Sequence, residues 1–177
     1  TVKKKYTRLE GSSMYLQEGE KLTLRDTLYG LMLESGNDAA VAIAGECGGF
    51  DVFIEKMNAK AAELGLTDTH FDNPNGLSSE THYTTAHELA QTIIRDVLET
   101  TGITATAGIG TNLFLAKVAL DITAKHAEDH IGYLDQAEFK RSIQTHRPIT
   151  DIWNIGPGIA KRLAKYGARD LRGVCEV

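Results

Sequence analysis

Apolar residues recur every three or four positions through most of the first hundred residues, and glycine, asparagine and proline mark the breaks. Thr23 is placed as an N-cap with Asp26 three residues on, and Leu28, Leu31 and Met32 form an apolar stripe that stops at Ser35-Gly36. A second helix, "NDAAVAIAGE", takes Asn37 or Asp38 as its cap and runs out at Gly48-Gly49. A third begins at Asp51, where Phe53, Ile54, Met57, Ala61 and Leu64 keep helical spacing until Gly65. The stretch "THFDNPNGLSSETHY" is dense in turn formers and reads as loop. Thr85 and Glu88 then form a capping box for a helix ending near Gly102, with Leu89, Ile93, Ile94, Val97 and Leu98 as its apolar stripe.

The texture changes inside that helix. Beyond it, "ITATA" (103–107) has strand character, "GIGTN" reads as a turn, and "LFLAKVALDITAK" is a helix with Leu113, Ala116 and Leu120 on one side. "HIGYLD" is a second short strand and "AEFKRSIQ" a further helix, so the spacing predicts a βαβ crossover. The tail predicts two short helices around Gly156-Pro157-Gly158 and the start of another. The fold expected is α+β and mainly helical, in three segments: 1–90, 91–150 and 151–177.

Composition adds that 42% of the 177 residues are hydrophobic and 24% charged, as in a globular protein. No apolar run approaches the roughly 18 residues of a membrane span, and no signal peptide opens the chain, which starts as if already inside a domain. Cys47 and Cys175 are far apart, fit no metal or redox spacing, and read as incidental thiols. Charge is uneven: residues 1–90 hold 8 Lys/Arg against 14 Asp/Glu, residues 91–177 hold 11 against 10. From Ile152 onward there are five basic residues and two acidic ones, and an acidic front with a locally basic tail points to two units with different partners.

The pieces "GSSMYL", "GEKLT", "LESGNDAA", "LGLTDTHFDNPNGL" and "HYTTAHELA" carry a resemblance. Together, residues 3–90 resemble the D-alanyl-D-alanine carboxypeptidases, the low-molecular-mass penicillin-binding proteins. The resemblance implies a serine peptidase acting on peptidoglycan peptides. In that family a Ser-x-x-Lys serine attacks the D-Ala-D-Ala bond with the lysine as base, followed later by a Lys-Thr-Gly strand. Ser35 would shuttle a proton to the leaving group and Asn37 would hydrogen-bond the substrate backbone. No serine here has a lysine three positions on, and no Lys-Thr-Gly occurs. Without a nucleophile there is no acyl-enzyme. The other reading of Ser35 and Asn37 is a helix stop and an N-cap.

Residues 91–177 resemble Y-family translesion DNA polymerases through "GITATAGIGTNLFLAKVALD", like a remnant of the palm, and "IWNIGPGIAKRLAKYG", like a helix–hairpin–helix. The resemblance implies that Lys117 reaches a nucleotide triphosphate, the alternative being an exposed, solvated lysine. It also implies sequence-independent DNA contact. Gly156 and Gly158 would let a phosphate backbone approach, the amides of Gly158, Ile159 and Ala160 would meet it, and Lys161, Arg162 and Lys165 would add charge. The alternative is a plain packing corner. An intact polymerase needs acidic residues holding Mg2+. "YLDQAE" does not replace them, and Asp135 and Glu138 read as solvent-facing.

Gly-x-Gly in "GIGTN" is too short for a dinucleotide fingerprint, and His126 and His130 in "HAEDH" lack zinc-site spacing. His70, His82 and His87 read as hydrogen-bonding residues in or beside a loop. No metal or cofactor is expected. The chain reads as a catalytically inactive composite of two truncated domains, a fusion with DNA as its one expected partner. Peptidoglycan would be bound only with the missing carboxypeptidase parts. The front resembles an exported protein and the back a cytoplasmic one, which leaves the compartment open. Each half should expose apolar faces that its missing strands would cover.

Overall fold

The computed structural model describes residues 1–176. The chain forms two compact units, Thr1–Thr85 and the residues from Ala86 on. Among the described residues no helix is long and apolar enough to cross a membrane.

The first unit holds three helices: α1 (Leu24–Leu33), α2 (Asn37–Glu46) and α3 (Phe50–Glu63). The expected capping box at α1 is present, with Asp26 N donating to Thr23 Oγ1 at 3.1 Å and Thr23 N donating to Asp26 Oδ2 at 3.2 Å. At α2 the cap position falls to Gly36, so Asn37 and Asp38 lie inside the first turn. Small residues let the elements close up: Gly30 of α1 packs on the Met14 thioether, and Gly45 of α2 packs on the buried Tyr6 ring. The core joins Val2, Tyr6, Leu16 and Ala42, with Met14, Leu22 and Val41 against it. Apolar side chains on the outer side of α1, Leu24, Leu28, Tyr29, Met32 and Leu33, remain exposed. A helix that is apolar nearly all round is one built to be covered on both sides.

The second unit begins with α4 (Ala86–Thr101) and contains β1 (Ala107–Gly110), α5 (Leu113–Val118) and β2 (Ile131–Leu134). The crossover forms as expected. β1 and β2 pair in parallel, Ala107 opposite Ile131 and Gly110 opposite Leu134. The strand is displaced from its expected place, since residues 103–106 are irregular and "AGIG" is the strand. The reason is close packing. A methyl group added at Gly108 would lie 2.5 Å from Leu120 N, and one at Gly132 would lie 2.5 Å from the Ala119 oxygen. Glycine on both strands thus lets the helical run sit directly on the sheet.

That run changes pitch, passing from α5 into a π turn at Ala119–Thr123 and a 3-10 turn at Ala124–His126. Leu115, Val118, Ala119 and Ile122, at the i, i+3, i+4, i+7 spacing of one helix face, fill the core with Leu134, Ile143 and Ile152, while Leu113 is 76% exposed. On α4 the expected stripe is also misplaced. Leu89, Ile93 and Leu98 are exposed, and Glu88 is the buried residue.

The remaining helical pieces are α6 (Gln136–Glu138), continued by a π turn at Phe139–Ile143, then α7 (Pro157–Ala164) and α8 (Leu171–Cys175). In place of a helix before Gly156 there is one 3-10 turn, Ile149–Asp151, followed by irregular chain with Asn154 at φ 67°. Arg147 donates twice to Asp170 (3.0 and 2.7 Å), whose other oxygen caps α8 by accepting from Gly173 N.

Candidate functional site

The polar corner between α1 and α2 starts with a chain reversal. Ser35 sits at φ 53°, in the left-handed region, and Gly36 N donates to Gly30 O at 3.3 Å. Ser35 is exposed, and its hydroxyl has no hydrogen-bond partner among the described residues. Asn37 is buried behind it. Its backbone N donates to Ser12 O at 2.8 Å and its Nδ2 to Glu10 O at 2.7 Å. A carbonyl partner fixes which end of the amide is the nitrogen. Oδ1 therefore has no hydrogen-bond partner among the described residues. Gly11 preserves this arrangement, because a methyl group there would lie 2.5 Å from Asn37 Nδ2.

Asp38, offered by the sequence only as an alternative cap of α2, is the hub of the corner. It is fully buried and accepts from Ser13 Oγ (2.7 Å), Met14 N (3.0 Å), Leu16 N (2.9 Å) and Ala39 N (2.9 Å). Burial raises its pKa, but the donors at Leu16, Ser13, Met14 and Ala39 outweigh burial and hold it below the usual carboxylate value. Asp38 thus ties residues 13–16 across the start of α2 and keeps the corner rigid. The available signal was an acid among alanines at the first turn of a helix.

Loop 66–85 is tied in the same way. Asn58 exchanges two hydrogen bonds with Phe71, at 2.9 and 2.8 Å. His70 Nδ1 bonds Thr81 O at 2.8 Å, His82 Nδ1 accepts from Asp72 N at 3.1 Å, and Thr81 Oγ1 donates to both Asp72 oxygens. Hydrogen bonds from Ser79 and Thr81, against a smaller opposing effect of burial, leave the Asp72 carboxyl with a lowered pKa.

In the second unit, Lys117 Nζ is held 2.6 Å from Asp121 Oδ1, so its ammonium is committed within its own helical run. At α7, Gly156 is the N-cap and Pro157 the first helical residue. Of the three amides expected to meet phosphate, Ile159 N and Ala160 N already donate to Gly156 O at 3.0 Å, leaving Gly158 N. Lys161, Arg162 and Lys165 are exposed, with no ion pair among the described residues. A methyl group on Gly156 or Gly158 would meet nothing within 4 Å. Asp135 caps α6 through Glu138 N at 2.7 Å, Glu138 pairs with Arg141, and His87 lies 3.0 Å from Asp129. Among the described residues no three His, Cys, Asp or Glu side chains gather to hold a metal ion.

Residues 1–129 match the profile of the D-alanyl-D-alanine carboxypeptidase family, Peptidase_S11. The chain belongs to that family. D-alanyl-D-alanine carboxypeptidase DacF of Bacillus subtilis is 42% identical over 99 residues, which are 55% of this chain and 25% of the relative. DacB2 of Mycobacterium tuberculosis is 46% identical over 85 residues, 47% of this chain and 29% of the relative. The crystal structure of the D-alanyl-D-alanine carboxypeptidase DacD from Francisella tularensis superposes with a TM-score of 0.51 at 36% identity, covering 55% of this chain and 24% of that one. The chain spans about a quarter of the length of these carboxypeptidases. The family match runs through α4, β1 and α5, beyond residue 90 where the sequence resemblance was drawn to a close. The carboxypeptidase resemblance of the front half is thereby shown, whereas none of these relatives is a polymerase.

Proposed function

We propose that residues 1–85 supply the substrate side of a serine-type D-alanyl-D-alanine carboxypeptidase site, and that the residues present here form no acyl-enzyme. Ser35 has the role of proton carrier to the leaving group and Asn37 that of a hydrogen-bond partner for the substrate backbone. The carrying observation is the corner itself: Asn37 is anchored through Nδ2, while its Oδ1 and the Ser35 hydroxyl stay uncommitted. Anchored polar atoms cost little further ordering when substrate arrives. Fluorescent penicillin tests both halves of the proposal. The chain alone should take no covalent label, and a label surviving denaturation overturns that half. Residues 1–85 grafted into an active carboxypeptidase in place of its matching segment should keep labelling, and Asn37→Ala in the graft should lower it about tenfold or more. Equal labelling in both grafts removes the role given to Asn37.

A second reading rests on α7. The Gly156 and Gly158 positions are open to approach, and three exposed cations follow them. We propose that this surface meets the backbone of DNA, in keeping with the resemblance of residues 91–177 to Y-family polymerases. Binding should weaken steeply with salt, and reversing charge at Lys161, Arg162 and Lys165 should reduce both affinity and salt slope. Affinity unchanged by the reversal rules it out.

A further inference from the structure

The chain has six asparagines, and the structure treats one of them differently. Asn37 is buried and bonded to Glu10 O, Asn58 is bonded to Phe71, and Asn112 caps α5 by accepting from Leu115 N at 2.9 Å. Asn73 is closed against Leu77 by two hydrogen bonds, 2.8 and 3.1 Å, and the proline after it has no amide hydrogen. Asn154 precedes the branched Ile155, whose amide already donates to Ile152 O at 3.0 Å. Asn75 remains. It is partly exposed, its side chain has no partner among the described residues, and the next residue is Gly76. Gly76 is exposed at φ 77°, its amide has no partner among the described residues, and none of their atoms lies within 4 Å of where a Cβ would stand.

We infer that Asn75-Gly76 is a site of spontaneous deamidation and isoaspartate formation in the folded protein. The chemistry needs only water. The Gly76 nitrogen, losing its proton, bonds to Asn75 Cγ. The Cγ–N bond of the side-chain amide breaks and ammonia leaves with that proton, closing a five-membered imide. Water then adds at either imide carbonyl and cleaves its C–N bond, giving an aspartate or an isoaspartate. Every feature that slows this reaction elsewhere in the chain is missing here: a bonded carboxamide, a bonded or absent following amide, and a following side chain that crowds the attack. Glycine also gives its nitrogen the widest range of approach.

The site has a structural consequence. Residues 73–77 are a loop closed by the Asn73–Leu77 pair. An isoaspartate lengthens the backbone inside that closure and adds a carboxylate, so the clasp must loosen. Ageing therefore makes loop 66–85 more mobile and more acidic.

The test ages the full chain in mildly alkaline buffer, folded and urea-unfolded in parallel. The tryptic peptide running from Ala61 to Arg95 contains both Asn73 and Asn75, and fragment-ion sequencing separates them. In the folded sample, Asn75 should convert first, severalfold ahead of every other asparagine. Its rate should stay within a few-fold of the unfolded rate, and a methyltransferase specific for isoaspartyl groups should label the product. Hydrogen exchange at the Leu77 amide should accelerate in the aged chain. Gly76→Ala should slow conversion severalfold. Because alanine is strained at that φ, Asn75→Gln is the second variant, and it should abolish the methyl label without altering the fold. Asn75 intact in the folded chain while reacting in urea, or another asparagine converting first, overturns the inference.

Discussion

Residues 1–85 are organised by polar groups that reach across the sequence, whereas the unit from Ala86 on is organised by the absence of side chains where helix meets strand. In the first, one carboxylate gathers donors from Ser13, Met14, Leu16 and Ala39, and Asn37 reaches back to Glu10. In the second, Gly108, Gly110 and Gly132 let the α5 run lie on the sheet over a core of Leu115, Val118, Ala119, Ile122 and Leu134. The difference teaches where each is fragile. A polar hub fails by subtraction, since losing one acceptor strands several buried donors. A close-packed seam fails by addition, since one extra atom pushes two layers apart.

The larger effect belongs to the seam. Gly132→Val places a branched side chain where even a methyl group would meet the Ala119 oxygen at 2.5 Å and Ala124 N at 2.7 Å. Backbone atoms cannot rotate away, so the cost should be about 3 kcal/mol or more. Residue-resolved hydrogen exchange on the full chain reads it: amides of residues 107–134 should lose protection, while those at 14, 16 and 37–40 should keep theirs. Loss at both sets together would break the comparison, because it would make the two units one cooperative structure.

How much of this was legible follows from how local each signal is. The α1 cap could be read because Thr23 and Asp26 satisfy one another within a single turn. The βαβ crossover could be read from spacing and turn residues. β1 could not be placed correctly, because "AGIG" has weak strand propensity and becomes a strand only when a helix needs a smooth surface. The buried face of α5 was missed because Leu113, Ala116 and Leu120 keep helical spacing just as Leu115, Val118, Ala119 and Ile122 do, and periodicity alone does not say which of two apolar faces meets the core. The exposed stripe of α4 shows the same limit, since amphipathicity says that a face wants cover and not that its own unit provides it. At the candidate site, Ser35 and Asn37 enter the proposal through the family resemblance of their motif. The hub at Asp38 was not legible, because its partners lie 22 to 25 residues away in a segment without secondary structure.

The smaller and sharper test is Asp38→Asn. The carboxylate offers each oxygen to a backbone amide, Oδ1 to Met14 N and Oδ2 to Leu16 N. An amide side chain in either orientation turns an NH2 toward one of them, leaving that buried N–H opposed by a donor. The cost should be about 2 kcal/mol, read as a lower denaturant midpoint with an unchanged slope. The pH dependence then separates charge from shape. Asp38 has a lowered folded-state pKa, so its contribution is fully present above the unfolded carboxylate value of about 3.9 and is lost as pH falls through the folded value. The unsubstituted chain should therefore lose its advantage over Asp38→Asn as the solution is acidified through that window, with exchange at the Met14 and Leu16 amides rising in step. A gap between the two chains that stays constant into acid would mean that Asp38 acts there through its shape alone, and the polar hub would have to be assigned to the neutral bonds from Asn37 and Ser13.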